Sequence, residues 1–255
     1  MMHAPMKHLR YGVLATVLFC LAYPAAAADI KVLCIPGMKA SIDALIPEFE
    51  RISGHKVSVT YEIYAGQKER VDSGDFDVAI FARAQIDEMS RRGLVAPGSV
   101  ADIASTNIGI AVKTGAPHPD IHDETAFKHL MLSARSITYT ENSATGVYVT
   151  KLLTRLGLEQ IKGKLLLQAG GAMTTPAVAR GDAEIGIVLI SDILATPGVD
   201  LVGPLPPALQ NQVMQTAGIN AKEEMPSNGK AFIEFLEGPT AAAAFQSRGL
   251  LPANH

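Results

Sequence analysis

The feature that most limits how this chain can fold is an alternation of apolar runs with amphipathic stretches, run through twice. Ile30–Ile35 reads as a buried strand and Pro36–Lys39 as a turn. Ile42, Leu45, Ile46, Phe49 and Ile52 then share one helical face, which Gly54 ends. Val57, Val59, Tyr61 and Ile63 alternate with polar residues as a half-buried strand. A short helix after Tyr64–Gln67, a strand at Phe76–Phe81, a helix from Arg83 to near Gly93 and a strand at Ile108–Val112 complete the first set. Pro117 and Pro119 mark a boundary. The second set has strands at 136–140, 165–167, 185–190 and 201–202. Helices are expected from the 141–146 loop, carrying Val149, Leu152, Leu153 and Leu156, and from Gly170-Gly171-Ala172. A strand at Val213–Ala217 and helices around 231–236 and 241–248 follow. Such alternation predicts an α/β protein with mostly parallel sheets covered by helices on both faces. The almost wholly apolar Ile185–Ile190 fits a strand buried on both sides.

The N-terminus has a different pattern. Lys7 and Arg10 precede an apolar run from Tyr11 to about Tyr23, then Ala25–Ala28 and Asp29. Charge, apolar core and small-residue site in that order predict a signal peptide over 1–28, and a mature chain outside the cytoplasm, in the periplasm. The apolar core is too short to span a bilayer, so no membrane anchor is expected. Phe19 before Cys20 argues against a lipid attachment site. Beyond residue 28 a single cysteine, Cys34, remains, so no internal disulfide can form and packing must supply stability. The formal net charge is −3 with no block of like charge, which speaks against a nucleic-acid partner; a monomer is expected.

In sheets of this kind ligands bind beyond the carboxyl ends of strands, where helices begin with free N–H groups. The loops 36–39, 64–67, 141–146 and 170–172 are short, small and polar, and predict a site for a small anion. Gly37, Gly66, Gly146 and Gly171 would let backbone approach the ligand, or simply make turns. Arg83 leaves a strand end, where its fork could grip a carboxylate. Lys39 begins a helix, where the dipole disfavours a cation unless an anion is near. Ser143 and Thr145 suit an anion and also cap a helix; Tyr148, a turn further on, suits the core. His118 and His122, with Asp120 and Asp123, sit in a proline-rich loop, a poor setting for a metal. No metal and no cofactor is expected: the chain has no H-E-x-x-H, G-x-S-x-G, Walker loop or G-x-G-x-x-G.

Four segments in order carry a family resemblance. Pro47–Val57 resembles the end of the first helix of molybdate-type periplasmic binding proteins, and Ser73–Ile80 their "G-x-x-A-D-V" strand. Ala144-Thr-Gly-Val-Tyr148 resembles their "A-G-x-Y" helix start. Gly181–Val188 with Ser191-Asp192 resembles "G-E-A-x-x-G-I-V-x-x-S-D". The resemblance implies a type II periplasmic-binding fold, with two lobes joined by two crossing strands and closing on a ligand. The crossings fall near 108–112 and 213–217. Lobe I then takes 29–112 plus 213–255 and lobe II 113–212. It also implies an ABC transporter permease as partner. Gly198–Pro206 is typical of a branch that also resembles periplasmic aconitate isomerase.

Departures from the family bear on the ligand. Gly37 stands where molybdate binders use a serine, Glu62–Gly66 replaces their "G-S-S-G", and Leu189 aligns with their tyrosine. The hydroxyls for a tetrahedral oxyanion are largely missing, while Lys39, Tyr64, Gln67 and Arg83 add polar bulk. An organic carboxylate is therefore the expected ligand. Expected contacts are Gly37, Met38, Lys39, Tyr64, Ala65, Gly66, Arg83, Ser143, Thr145, Gly146, Gly171 and Ala172. The alternative is an isomerase that moves an allylic proton in an unsaturated tricarboxylate. Its acid and base would come from Tyr64 and Glu141, with Glu62 and Lys39 as further candidates.

Overall fold

A computed structural model describes Met1 and residues 29–169, 173–223 and 226–253. The segment expected to be a signal peptide, and Gly171 and Ala172, lie outside the described residues. In chain order the elements are β1 (Asp29–Cys34), α1 (Lys39–Ser53), β2 (Lys56–Tyr61), α2 (Lys68–Ser73), β3 (Val78–Ala82), α3 (Arg83–Arg91) and β4 (Ala101–Thr106). Next come β5 (Ile108–Lys113), α4 (Glu124–Ser133), β6 (Ile137–Thr138), α5 (Ala144–Arg155), α6 (Thr174–Arg180), β7 (Ile185–Leu189), α7 (Ile190–Ala195) and β8 (Val199–Pro204). The chain closes with β9 (Val213–Ile219), α8 (Pro226–Leu236), α9 (Pro239–Gln246) and β10 (Leu251–Pro252). No described helix is long and apolar enough to cross a membrane.

Two sheets result, in the orders β10-β4-β9-β3-β1-β2 and β6-β7-β5-β8. Strand periodicity explains why each needs helices on both faces. In β3, Val78 and Ile80 pack with α1, α8 and α9 through Ile42, Phe49, Phe232 and Phe245, while Ala79 and Phe81 pack with Val71, Ile86 and Met89. Phe49 meets Phe232 edge-on at 5.0 Å, the favoured geometry for such pairs. The α1 helix ends at Gly54 with φ of 73°, a left-handed cap that glycine adopts without strain.

The sheets are mixed in direction. The pairs β1–β2, β1–β3 and β6–β7 are parallel, but β9 runs antiparallel to β3 and β4, and β5 antiparallel to β7 and β8. The expectation of mostly parallel strands missed this, because the strands flanking the crossings return against their neighbours. Ile108–Val112, expected to close lobe I as a crossing, pairs wholly within the second sheet. The outward passage is Asn107 alone, between β4 and β5. Gln210 clips the outward and return passages together: its Oε1 accepts the Ile108 N–H at 3.0 Å and its NH2 donates to the Ile108 carbonyl at 2.9 Å. The segment 165–167, expected as a strand, makes only isolated parallel bridges beside β6.

Candidate functional site

Between the two sheets, at strand ends from both, lies a cavity with about 60 Å3 open to the centres of water molecules. That exceeds several-fold the roughly 10–15 Å3 that one water needs. Nine aliphatic or proline residues form much of its wall: Ile35, Pro36, Ile63, Ala82, Ala144, Ile187, Val188, Leu189 and Val213. The polar members are Tyr64, Gln85, Thr140, Ser143, Thr145, Thr174, Thr175, Asp192 and Gln215, with Gly37 as backbone. Among the described lining residues there is no Lys, Arg or His.

The strand-to-helix rule places most of these groups. Gly37 lies in the turn after β1, Gln85 in the first turn of α3, Thr145 in the first turn of α5 and Asp192 in the first turn of α7. Tyr64, in the turn after β2, packs edge-on against Phe81 at 5.2 Å, and its oxygen accepts from Arg92 at 3.5 Å. Gln85 Oε1 accepts the Ala82 N–H at 3.2 Å, which leaves the amide NH2 for the cavity.

Asp192 is the ionisable carboxyl of the wall. Burial pushes its pKa from 3.8 up to about 7, because a low-dielectric surrounding disfavours the charged form. The helix dipole at α7 favours the anion, and burial outweighs it. The residue is half-buried and lies in the cavity wall.

Of the residues expected from sequence, Gly37, Tyr64, Ser143 and Thr145 lie in this wall. Ser143 has little left to offer a ligand: its hydroxyl donates to the Thr140 carbonyl at 2.8 Å and accepts the Gly146 N–H at 2.9 Å, capping α5. The others serve elsewhere. Met38 is fully buried in the first lobe's core. Lys39 donates to Asp43 at 2.6 Å and rests 4.5 Å over the Tyr61 ring, so the anion expected near it is Asp43. Ala65 and Glu141 are exposed and outside the wall. Gly66 gives room to the Glu62 side chain, and Gly146 lets α5 approach the Thr140 carbonyl. Gln67 is buried and donates to the Cys34, Thr60 and Glu62 carbonyls.

Arg83 corrects the strongest expectation. Its guanidinium turns to an exposed face and is held by Asp87 at 2.9 Å and by both oxygens of Asp102 at 3.0 Å. Ala82 before it and Gln85 after it reach the cavity instead. Exposed ion pairs contribute about 0–1 kcal/mol. Arg83→Ala should thus leave ligand affinity within about 1 kcal/mol of the native protein by calorimetry; a larger loss would return Arg83 to the site.

Gly37 is one of the places where the lobes touch. A methyl added there would lie 3.2 Å from Leu189 Cδ1, 3.2 Å from Ser191 Oγ and 3.3 Å from Asp192 Oδ1. Gly37→Leu should keep the fold, since the contact is between lobes, but wedge the cleft open. We expect at least tenfold weaker binding, about 1.4 kcal/mol, with a thermal midpoint changed by only a few degrees.

A model of the family described as bacterial extracellular solute-binding protein matches residues 30–251. The chain belongs to that family. This solute-binding protein is 29% identical to aconitate isomerase from a Pseudomonas species over 234 residues, 88% of this chain and 87% of that one. It is 28% identical to the molybdate-binding protein ModA of Azotobacter vinelandii, over 90% of this chain and 92% of that one. It superposes on the sulfate-binding protein SubI of Mycobacterium tuberculosis H37Rv with a TM-score of 0.75 at 15% identity, over 89% of this chain and 88% of that one.

Sequence reasoning missed Gln85, Thr140, Thr174, Thr175, Asp192 and Gln215. Asp192 had a signal: Ser191-Asp192 directly follows an all-apolar strand, the position at which ligand groups are sought. Gln215 had none, because its β9 strand runs opposite to the alternating series.

Proposed function

We propose that this solute-binding protein captures a small organic carboxylate in the cleft between its lobes, outside the cytoplasm, and hands it to an ABC-type permease. The composition of the wall carries the reading. An inorganic oxyanion presents oxygen in every direction and needs donors on every side; an oxyanion that loses hydrogen bonds on burial forfeits about 1–3 kcal/mol for each. The side chains of nine aliphatic or proline residues cannot supply them. A carboxylate joined to carbon meets both kinds of wall: its oxygens take Tyr64, Gln85, Thr145 and the first N–H groups of α5, and its carbon faces Ile187 and Leu189. The absence of a cation among the described lining residues is offset by Asp192, whose neutral carboxyl can donate a proton to the bound anion. The extracytoplasmic setting rests on the charged, apolar and small-residue order of 1–28, and delivery to a permease on the family resemblance.

Calorimetry against short mono-, di- and tricarboxylates, with molybdate and sulfate beside them, tests this. Micromolar or tighter binding of a carboxylate and millimolar or absent molybdate binding is expected. Sub-micromolar molybdate would sink the argument from the wall.

A second reading is favoured by Asp192 together with the similarity to aconitate isomerase. A carboxyl with pKa about 7 is suited to take a proton and return it at neutral pH. It would remove a proton from one allylic carbon and deliver it to the other as the C=C bond shifts. Incubation with trans-aconitate in D2O, followed by proton NMR, separates the readings: cis-aconitate carrying solvent deuterium supports the isomerase, unchanged substrate the binder. The family pattern has S-D at this position, so Asp192 by itself does not decide between them.

A further inference from the structure

Counting hydrogens around the cavity divides its polar wall in two. Thr196 has one hydroxyl proton and donates it to the Asp192 carbonyl at 2.8 Å. Its oxygen also lies 2.8 Å from Thr175 Oγ1; with its own proton committed, Thr196 must accept there, so Thr175 is the donor. Thr175 is 3% exposed, and toward the cavity its oxygen has only lone pairs to present. Gln215, with no exposed surface, has its NH2 against the Val213 carbonyl at 3.5 Å, and its Oε1 has no donor. A turned amide would set oxygen against that carbonyl. A buried acceptor left without a donor is costly, and the space beside these two is the cavity. The donor side is separate: Tyr64 and Thr145 hydroxyls, the Gln85 NH2, and the one proton that the Thr140–Thr174 pair, 3.0 Å apart, does not use between themselves.

We infer that the ligand is a small hydroxycarboxylate, its carboxylate on the donor side and its hydroxyl donating to the acceptor wall of Gln215 and Thr175. This rests on the carboxylate reading above and narrows it. Hydrogens attached to carbon cannot satisfy Gln215 Oε1 as a hydroxyl does, and neither can an oxyanion without protons. A site that hydrogen-bonds a ligand hydroxyl rejects the analogue lacking it, because its own polar groups are then buried unpaired.

Matched pairs test this on the native protein: lactate against propionate, and malate against succinate. The hydroxy acid of at least one pair should bind at least tenfold tighter. Gln215→Met and Thr175→Val should each erase most of that preference. Circular dichroism confirms that each variant folds, and the two variants check one another. Equal affinity within both pairs in the native protein overturns the inference but leaves the carboxylate reading standing. Failure of all four acids to bind, with a tetrahedral oxyanion bound instead, overturns both. Tighter binding of alanine than of lactate overturns the hydroxyl in favour of an ammonium donor.

Discussion

Affinity for a small carboxylate should fall about tenfold for each pH unit above about 7, and Asp192→Asn should flatten that profile. The carboxyl has its pKa raised by burial to about 7. Below that pH it is neutral and can donate to a bound anion. Above it, an anion must enter the cavity beside a second negative charge, and binding must take up one proton. One proton taken up gives a slope of one decade per pH unit, or about 2.7 kcal/mol across two units. The same shift governs the stability of the ligand-free protein. The folded pKa lies above the unfolded value of 3.8, so the folded state holds the proton more tightly. Stability is therefore fully present below about pH 4, declines as pH climbs toward 7, and is level above that. The loss is at most about 4 kcal/mol, an upper bound since part of the carboxyl's surface meets the cavity. Asp192→Asn should raise the thermal midpoint at pH 8 and leave it nearly unchanged at pH 4. Parallel melting curves for the two proteins across that range would falsify the assignment of a raised pKa to Asp192.

Gly146→Ala should destabilise the protein by about 3 kcal/mol or more, beyond the usual overpacking range of 1–3 kcal/mol. A Cβ at this position would lie 1.9 Å from the Thr140 carbonyl oxygen and 2.7 Å from that of Glu141. Both are backbone atoms, so no side chain can swing away. The start of α5 would have to lift off the 140–141 turn, breaking the cap in which Ser143 Oγ accepts the Gly146 N–H at 2.9 Å and displacing Thr140 and Thr145 from the cavity wall. Chemical denaturation measures the loss, and a Gly146→Ala variant as stable as the native protein would contradict the close approach. Ligand affinity should fall with it, although Gly146 itself is outside the wall.

Why some of this could be read in advance is clear from particular elements. Apart from α2, whose one apolar residue is Val71, the helices and strands of the first lobe up to α3 have apolar patterns in their own sequence, and Gly54 ends α1 where the left-handed turn requires it. The α4 helix and β4 strand went unread. Phe127, Leu130 and Met131 are the buried residues of a short helix behind a proline-rich loop, and Ala101–Thr106 mixes small and polar residues although its last four are buried. The strand 165–167 failed for the converse reason, since its leucines suit a strand but only single bridges form beside β6.

The candidate site divides along the same line. Helix starts follow strand ends in the sequence, so the loops holding Gly37, Tyr64, Ser143 and Thr145 could be found from order alone. Which way a side chain turns there could not. Arg83 and Gln85 are two residues apart on α3, and 3.6 residues per turn send them to different sides, one to Asp87 and Asp102, the other to the cavity. Asp192 and Gln215 come from elements that local pattern cannot bring together, α7 of one lobe and β9 of the other. By itself the sequence determined the α/β class, the two alternating sets and the loops at strand ends, because these depend on local periodicity and turn chemistry. Only the tertiary structure decided that the lobes approach closely at Gly37, that Arg83 is held outside and that a carboxyl with its pKa raised by burial lies within. Burial, desolvation and hydrogen count belong to the space between elements, and that space exists only once both lobes are in place.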